Sequence, residues 1–266
     1  MQALTDQELQ GFSKLMFEAA GISLPMSKKA LVSSRLGRRL QVLGHDSFAQ
    51  YLEQLRRDAE ERQRAVDLLT TNETYFFREP QHFSFLSERI LPTVDASRPV
   101  RVWSAACSSG EEPYSVAMVL AERMGSRPWE ILASDISTRV LQQARAGVYA
   151  MERAQRIPQA YLKAYCLRGV GAQEGKLAVQ ASLRERVRFE CINLNGHWPD
   201  MGGFDLIWLR NVMIYFDAPT KRALVARLAQ ALRPGGHLFV GHSESLSGLD
   251  SDLQPVQPAI YRRAAR

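Results

Sequence analysis

The stretch between Val100 and Asp135 most strongly limits what this chain can fold into. It opens with a short apolar strand that runs into a turn of small residues, SAACSSG, which ends at Gly110. Pro113 then marks the first turn of a helix, where the missing proline N–H costs nothing. A second apolar strand, WEILAS, follows and ends at Asp135. Strand, turn, helix and strand together predict a βαβ unit, and hence a parallel sheet covered by helices.

The acidic residue at the end of the second strand predicts a nucleoside ligand. In βαβ units that bind nucleotides, a carboxylate at this position accepts hydrogen bonds from the ribose hydroxyls. The first turn lacks the G-x-G-x-x-G pattern that lets a pyrophosphate lie on the helix N-terminus. A cofactor with a nucleoside and no phosphate, such as S-adenosylmethionine, therefore fits this unit best. The alternative is an ordinary turn in which Asp135 is incidental.

Strand and helix patterns alternate from residue 100 to the end of the sequence. The predicted strands are Val100–Ser104, Glu130–Ser134, Val187–Ile192, Phe204–Leu209, His237–Gly241 and Ala259–Arg262. The predicted helices are 113–124, 137–146 and 218–232. The fold class is therefore α/β, with a doubly wound, mostly parallel sheet. The alternation pauses at about 159–186, where short strands at 166–168 and 176–180 flank a glycine-rich loop and predict a small antiparallel β insertion.

Residues 1–70 predict an all-α N-terminal domain. Apolar residues recur at helical spacing, and one helix carries basic residues without any acid between Lys28 and Gly44. Three of its arginines, at i, i+3 and i+4, are expected to share a face. This helix is predicted to dock a negatively charged partner, and the alternative is a solvated face. The predicted docking residues are Lys28, Lys29, Arg35, Arg38 and Arg39.

The segment that joins the two blocks, 71–99, is predicted to close over the ligand pocket. Its first part, NETYFFREP, packs three aromatic residues beside an arginine, and such a density of apolar side chains is unusual in an exposed linker. The domain from 100 to 266 supplies the rest of the pocket from the carboxyl ends of its strands. Asn193 is expected to read an adenine edge there, and the strand at Phe204–Leu209 is expected to deliver Arg210, Asn211 and Tyr215.

Composition restricts the compartment and the cofactors. The 266 residues contain no run of about 20 apolar residues that could cross a bilayer, and the N-terminus lacks the pattern of a signal peptide, so a cytoplasmic protein is expected. The three cysteines are far apart and lack a C-x-x-C pair, which predicts buried thiols and neither metal nor disulfide. A net charge of +6 indicates an acidic partner surface but does not identify it.

Five segments together resemble the CheR family of chemotaxis receptor methyltransferases: NETYFFRE, RVWSAACSSGEEPYS, ASDIS, RNVMIYFD and GHSE. The resemblance spans nearly the whole chain. It implies an S-adenosylmethionine-dependent protein-glutamate O-methyltransferase that releases S-adenosylhomocysteine. The implied partner is a methyl-accepting chemotaxis receptor, whose cytoplasmic methylation helix carries the target glutamates. In some members the small β-subdomain also binds a pentapeptide at the receptor C-terminus.

The resemblance also implies roles for individual residues. Arg78 and Tyr215 match the pair that lies next to the reacting groups, with a structural salt bridge to Glu79 or Glu112 as the alternative for Arg78 and strand-end packing as the alternative for Tyr215. Glu112 is expected to pair with the amino group of the methionine moiety. The implied cofactor contacts are Asn72, Thr74, Arg78, Glu112, Asp135, Asn193, Leu194, Arg210 and Asn211.

Two other functions remain as alternatives at this stage. A nucleic-acid methyltransferase would use the same pocket and the positive charge, but the basic helix lacks the interleaved aromatic residues that stack on bases, so no nucleic-acid partner is expected. An adaptor that binds S-adenosylmethionine without catalysis would not need both Arg78 and Tyr215. A methyl-transfer assay separates the enzyme from the adaptor.

Overall fold

The computed structural model describes residues 3–249 and 251–265. Its helices are α1 Asp6–Ala20, α2 Lys29–Leu43, α3 Phe48–Arg57, α4 Ala59–Leu69, α5 Pro80–Phe85, α6 Glu111–Met124, α7 Thr138–Ala146, α8 Gln159–Tyr165, α9 Ala181–Arg184 and α10 Ala218–Ala231. Its strands are β1 Val100–Ala105, β2 Trp129–Asp135, β3 Val148–Ala150, β4 Cys166–Arg168, β5 Lys176–Val179, β6 Val187–Cys191, β7 Phe204–Leu209, β8 Leu232–Val240, β9 Leu253–Gln257 and β10 Ile260–Arg263. Within this described part, every helix is too short or too polar to cross a membrane.

Helices α1 to α4 pack around an apolar core of their own. The first of them starts with a capping box, in which the Thr5 side chain and Glu8 satisfy each other's backbone N–H groups. It ends at Gly21, whose φ of 70° gives the left-handed conformation that closes many helices. The core residues that these helices share include Leu9, Phe12, Met16, Val32, Leu36, Leu40, Tyr51, Leu55 and Val66.

The main sheet has seven strands in the order β6-β2-β1-β7-β8-β10-β9. The first five of these strands are parallel, and β10 runs antiparallel to both of its neighbours. Helices cover both faces, so the predicted doubly wound α/β class is confirmed. The prediction omitted β9, because the sequence LQPVQ contains a proline and little apolar alternation. Strand β1 lies near the middle of the sheet, and its carboxyl end opens towards the candidate site.

A second, three-stranded sheet has the order β3-β5-β4 and is antiparallel throughout. The predicted strands β4 and β5 and the hairpin that joins them are present, with a short 3-10 turn at Gly171–Gln173. The third strand, β3 at Val148–Ala150, lies before the range 159–186 that the sequence predicted. Three residues are too few to show a strand pattern in a sequence, since the pattern depends on alternation over four residues or more.

The predicted closing segment 71–99 divides into two parts. Its first part lies along the candidate site as an irregular chain, whereas Pro80 begins α5, which continues through helical turns to Thr93. The side chains of Phe83, Leu86 and Ile90 from this second part are buried in the core beneath the main sheet. The second part is therefore a fixed element of the fold, and the prediction of a closing segment as far as residue 99 was wrong in this respect.

The prediction that all three thiols are buried was wrong for two of them. Cys107 is fully buried in the turn after β1, but Cys166 is half-buried and Cys191 is exposed at the end of β6. The edge position of β6 in the main sheet explains the exposed thiol, because an edge strand has no neighbour to cover its outer side.

Gly110, the residue before α6, provides a test of the turn after β1. Its φ is 95°, and a Cβ at this position would lie 2.9 Å from both Ala144 Cβ and the Tyr149 hydroxyl. Gly110→Ala is expected to lower the free energy of unfolding by about 2–4 kcal/mol through backbone strain and overpacking. Urea denaturation measures this change. The control is Gly44→Ala, at φ 73° with open space around it, which should cost only about 1–2 kcal/mol. Equal costs at both positions would contradict the tight packing inferred for the turn.

Candidate active site

A cleft lies at the carboxyl ends of β1, β2 and β7, between the main sheet and the N-terminal helices. The segment from Thr70 to Arg78 forms one of its walls, and Ala20 and Ile22 reach it from the end of α1. All ten residues predicted for cofactor binding or catalysis line this cleft: Asn72, Thr74, Arg78, Glu112, Asp135, Asn193, Leu194, Arg210, Asn211 and Tyr215. They come from five separate parts of the sequence. The parallel topology brings four of these together, and the segment 72–78, which precedes the sheet, lies against them.

The turn after β1 wraps around the carboxylate of Asp135. Ala106 and Ser108 both adopt positive φ, at 68° and 50°, which aims the Ser108 N–H at Asp135. The Ser108 N–H donates to Oδ2 and the Ser137 N–H donates to Oδ1, each at 2.9 Å. Burial raises the pKa of Asp135, while these backbone hydrogen bonds act against the increase. Each carboxylate oxygen keeps a free lone pair, so the group can accept two further hydrogen bonds from a ligand.

Arg210 links two carboxylates beneath the cleft. Its guanidinium lies 3.2 Å from Glu112 Oε2 and 3.1 Å from Glu79 Oε2, and its side chain is only 1% exposed. It also donates to the main-chain oxygen of Arg78 at 2.5 Å. The structure therefore places this guanidinium in internal ion pairs, although it was predicted to contact the cofactor. Its effect on the cleft is to position Glu112 and the main chain at Arg78.

Glu112 presents a second carboxylate to the cleft. It accepts a hydrogen bond from the Ser104 hydroxyl at 2.8 Å, in addition to the ion pair with Arg210. Burial raises the pKa of Glu112, and the positive charge of Arg210 acts against the increase. A carboxylate in this position is suited to a cationic group on a ligand, which would also favour its ionised form.

Glu79 also lies near two histidines, and the three side chains bring potential metal-ligand atoms within 4.8 Å of one another. His82 is fully buried against Trp208 and Phe239, and burial together with the charge of Arg210 lowers its pKa to about 3. The guanidinium of Arg210, 3.1 Å from Glu79 Oε2, already neutralises Glu79 and would repel a cation bound to that carboxylate. We therefore interpret the cluster as part of the ion-pair network and assign no metal to it.

Arg78 and Tyr215 lie on the cleft wall with few internal partners. The Arg78 guanidinium donates to the Glu73 carbonyl at 3.0 Å, and in the described part of the chain no ion pair joins it to Glu79 or Glu112. The salt-bridge alternative for this residue is thus wrong. Tyr215 ends a short 3-10 turn, and its main-chain oxygen accepts a hydrogen bond from Ser23 at 3.1 Å. Both side chains are half-buried.

The Asn193 side chain is bonded within the protein on both sides of its amide. Its Nδ2 donates to the Ala19 carbonyl at 2.7 Å, and its Oδ1 accepts from the Asn195 N–H at 2.9 Å. These bonds tie the end of α1 to the sheet. One N–H and one lone pair of the amide remain available for a ligand, so the adenine contact stays a prediction. The next residue, Leu194, is buried and adds an apolar side chain to the same wall.

Sequence reasoning gave no structural role to Glu244, which organises the loop after β7. This carboxylate is 7% exposed and accepts backbone N–H bonds from Asn211, Met213 and Gly241, all at 2.7–2.8 Å. These bonds fix Asn211, which has a φ of 59°, and the turn that leads to Tyr215. The signal in the sequence was the acidic residue of GHSE directly after a predicted strand.

The wall formed by Thr70 to Arg78 is held by contacts to the main-chain oxygens of Asn72 and Thr74. The Ser108 hydroxyl donates to the Asn72 carbonyl at 2.9 Å, and Arg153 donates to the Thr74 carbonyl at the same distance. The turn after β1 and the small β-subdomain region thus both hold the segment that carries Arg78.

The basic helix α2 does not present a continuous free face. Arg39 forms a bidentate pair with the buried Glu61, and Arg35 donates to the three carbonyls that end α4, those of Leu68, Leu69 and Thr70. Lys29 pairs with Asp6 at 2.6 Å. The prediction that these arginines form a free docking face was wrong for Arg35 and Arg39, because both are bonded to α4 and its C-terminal end. Lys28 and Arg38 remain exposed and lack such pairs among the residues that the structure describes.

The cleft fits an adenosyl ligand that carries a positive charge. Two carboxylates face it, Asp135 from the end of β2 and Glu112 from the first turn of α6, and they would repel a pyrophosphate. The same carboxylates suit ribose hydroxyls and an ammonium group, both of which S-adenosylmethionine contains. The fold and the cleft together define a methyltransferase of the doubly wound α/β type.

Comparison with known proteins agrees with this class. The CheR methyltransferase all-alpha domain matches residues 7–70, and the CheR methyltransferase SAM binding domain matches residues 72–261. Chemotaxis protein methyltransferase 2 of Pseudomonas aeruginosa is 44% identical over 98% of this chain and 94% of that protein. The chemotaxis protein methyltransferases of Salmonella typhimurium and Escherichia coli are each 42% identical, over 97% of this chain and 91% of theirs. The chain belongs to the CheR methyltransferase family, and it is an enzyme whose cofactor is S-adenosylmethionine.

Asp135→Asn tests the ribose contact. Loss of one carboxylate acceptor should weaken binding of S-adenosylhomocysteine about tenfold or more, since a hydrogen bond to a charged group contributes about 1.5–3 kcal/mol. Isothermal titration calorimetry measures the affinity, and the melting temperature checks the fold. Glu190→Gln, on the neighbouring strand β6 and exposed, is the control and should bind normally. Native affinity in Asp135→Asn would contradict the assignment.

Proposed function

We propose that this protein methylates the γ-carboxylates of glutamates on the cytoplasmic helices of chemotaxis receptors, and that it does so in the cytoplasm. The observation that carries the proposal is that Arg78 and Tyr215 line the same cleft as Asp135 and Glu112 in a chain of the CheR family. The relatives are named as chemotaxis protein methyltransferases, which supports a receptor as the substrate.

The chemistry needs alignment rather than proton transfer. The bound S-adenosylmethionine supplies a methyl group on a positively charged sulfur. A glutamate side chain, with an ordinary pKa of about 4.3, is already ionised near neutral pH and can act as the nucleophile without a general base. Correct alignment of reacting groups can account for about 7–11 kcal/mol of a barrier. The protein must therefore hold the incoming carboxylate at the cleft and exclude water from it.

Arg78 and Tyr215 are proposed to hold that carboxylate by donating hydrogen bonds to it. One Nη of Arg78 is already bonded to the Glu73 carbonyl, which leaves the guanidinium less able to form a symmetric two-point clamp. This matters because a clamp of that kind would stabilise the charged ground state more than the transition state, in which the charge is dispersed. A single hydrogen bond from Arg78, together with one from the Tyr215 hydroxyl, orients the carboxylate with less stabilisation of the ground state.

The N-terminal helices, residues 1–70, are proposed to dock the receptor's methylation helix. The exposed residues of the predicted docking set, Lys28 and Arg38, are the ones whose charges are available for an acidic partner. Such charges guide association over a distance that salt shortens to about 10 Å at 0.1 M ionic strength. Residues 100–266 would carry the transfer, with 71–78 closing over the cofactor.

The small sheet is proposed to bind the receptor's C-terminal pentapeptide. Strand β4, Cys166–Arg168, lies at the edge of the sheet order β3-β5-β4 and has free backbone groups on its outer side. The side chains of Leu167 and Val170 beside it are 56% and 80% exposed. An exposed edge of this kind can accept an extended peptide as an additional strand.

Tyr215→Phe tests the catalytic assignment. The loss of one hydroxyl should leave affinity for S-adenosylhomocysteine within twofold and lower turnover about tenfold, because only the carboxylate contact is removed. Transfer of tritium from labelled S-adenosylmethionine to membranes that carry a chemotaxis receptor measures turnover. Tyr165→Phe, at the end of α8 and away from the cleft, is the matched control. Normal turnover in Tyr215→Phe would refute the role, and absence of transfer by the unaltered enzyme would favour the adaptor alternative.

Charge reversal at the exposed docking residues tests the receptor surface. Lys28→Glu with Arg38→Glu should raise the receptor concentration needed for half-maximal methylation about tenfold or more at low salt, and leave cofactor affinity unchanged. The control is Arg188→Glu with Arg222→Glu, which changes the net charge equally at exposed positions outside α2. The receptor dependence of initial rates measures both. An equal effect of the two double variants would show that only net charge matters.

A further inference from the structure

The ring of Tyr75 lies on the cleft wall beside Arg78 and contacts two guanidinium groups. The Cζ atom of Arg78 is 5.6 Å from the ring centroid, and the Cζ atom of Arg156 is 4.3 Å from it. Both distances allow a cation–π contact with the negative face of the ring. Arg156 is exposed, and it ends the short 3-10 helix Met151–Arg156 that follows strand β3 of the small sheet.

The chain segment around Tyr75 is held at three successive residues. The Glu73 carbonyl accepts a hydrogen bond from Arg78, and the Thr74 carbonyl accepts one from Arg153. Arg153 belongs to the same 3-10 helix as Arg156 and also lies 2.5 Å from the buried carboxylate of Glu111. Two arginines of one short helix therefore fix neighbouring residues of the cleft wall.

In the described part of the chain, neither Arg78 nor Arg156 forms an ion pair with a carboxylate. The direction in which Arg78 points is thus set by one carbonyl and by the Tyr75 ring, while the Glu112 carboxylate interacts with its charge only from beyond ion-pair distance. The ring in turn has Arg156 as its closest cationic contact. A long, flexible arginine side chain needs such contacts to remain in one orientation.

We propose that Arg156 is a positioning residue for Arg78, acting through the Tyr75 ring, and that it thereby sets the rate of methyl transfer. The inference rests on the proposed function in one respect, the role of Arg78 towards the substrate carboxylate. A substitution at Arg156 tests this contact selectively, because the residue is exposed and its contact in the structure is with the Tyr75 ring. A substitution at Arg153 would be less selective, since it would leave the buried Glu111 without its partner.

The first arm of the test measures positioning without any substrate. In protein that is ¹⁵N-labelled on arginine and saturated with S-adenosylhomocysteine, the order parameter of the Arg78 Nε–H bond is determined by relaxation, with Arg78→Lys used to assign the signal. We expect Arg156→Gln and Tyr75→Leu to lower this order parameter, and Arg156→Lys and Tyr75→Phe to preserve most of it. An unchanged order parameter in Arg156→Gln and Tyr75→Leu would overturn the proposal.

The second arm measures kcat with tritiated S-adenosylmethionine and receptor membranes. Arg156→Gln and Tyr75→Leu should each lower kcat about threefold to fivefold, with cofactor KM and melting temperature unchanged. The double variant should be no slower than Tyr75→Leu alone, because that change already removes the ring through which Arg156 acts. Multiplied effects in the double variant would overturn the proposal.

Two further variants distinguish the catalytic role of Arg78 from its positioning by Arg156. Arg186→Gln removes a comparable contact, with Cζ 4.9 Å from the Trp129 ring centroid at the far end of β2, and should leave kcat unchanged. Arg78→Gln should be slow. If Arg78→Gln retains full kcat, the proposed role of Arg78 in catalysis is wrong, whereas a slow Arg78→Gln beside a fully active Arg156→Gln contradicts only the positioning by Arg156.

Discussion

The buried guanidinium of Arg210 is the interaction on which the geometry of the cleft depends. It joins the end of β7 to Glu112 on α6 and to Glu79 and the Arg78 carbonyl on the cleft wall. Glu112 lies 98 residues away from Arg210 in the sequence, and Arg78 lies 132 residues away. Since removal of one partner from a buried ion pair costs about 3–5 kcal/mol, the three parts of the chain are strongly held in one arrangement. The carboxylate of Glu112 and the segment with Arg78 thus share a single anchor.

Around this anchor, the protein uses main-chain atoms to shape the cleft and keeps few side chains free. Asp135 and Glu244 each bind backbone N–H groups, and through them they fix the turn after β1 and the loop after β7. Arg78 and Tyr215, the side chains proposed to meet the substrate, retain unused donors at the cleft. An enzyme that acts by alignment needs a fixed frame with few mobile contacts, and this arrangement provides one.

The sequence predicted what depends on local pattern and on the general rule for parallel sheets. The βαβ unit and the placement of Asp135, Asn193, Arg210, Asn211 and Tyr215 at one sheet edge follow from strands that end on the same side. The resemblance to the CheR family added Asn72, Thr74, Arg78, Glu112 and Leu194. The sequence could not predict which charged groups are already paired. Arg39 and Arg35 find Glu61 and the end of α4 at 22 to 35 residues away, and Asn193 binds Ala19 across 174 residues. The partners in these contacts are fixed by packing, which no local pattern records.

At residues 19–23, the helical block contributes backbone atoms to its joint with the sheet domain. Ala19 offers its carbonyl to Asn193, and Ser23 offers its N–H to the carbonyl of Tyr215. Neither contact depends on which side chains the block carries at these two positions. At α4, by contrast, the side chains of Gln63 and Asp67 bond to Ile136 and Thr138. A chimaeric enzyme that exchanges the first seventy residues should therefore keep these two side chains as well as the backbone path through residues 19–23.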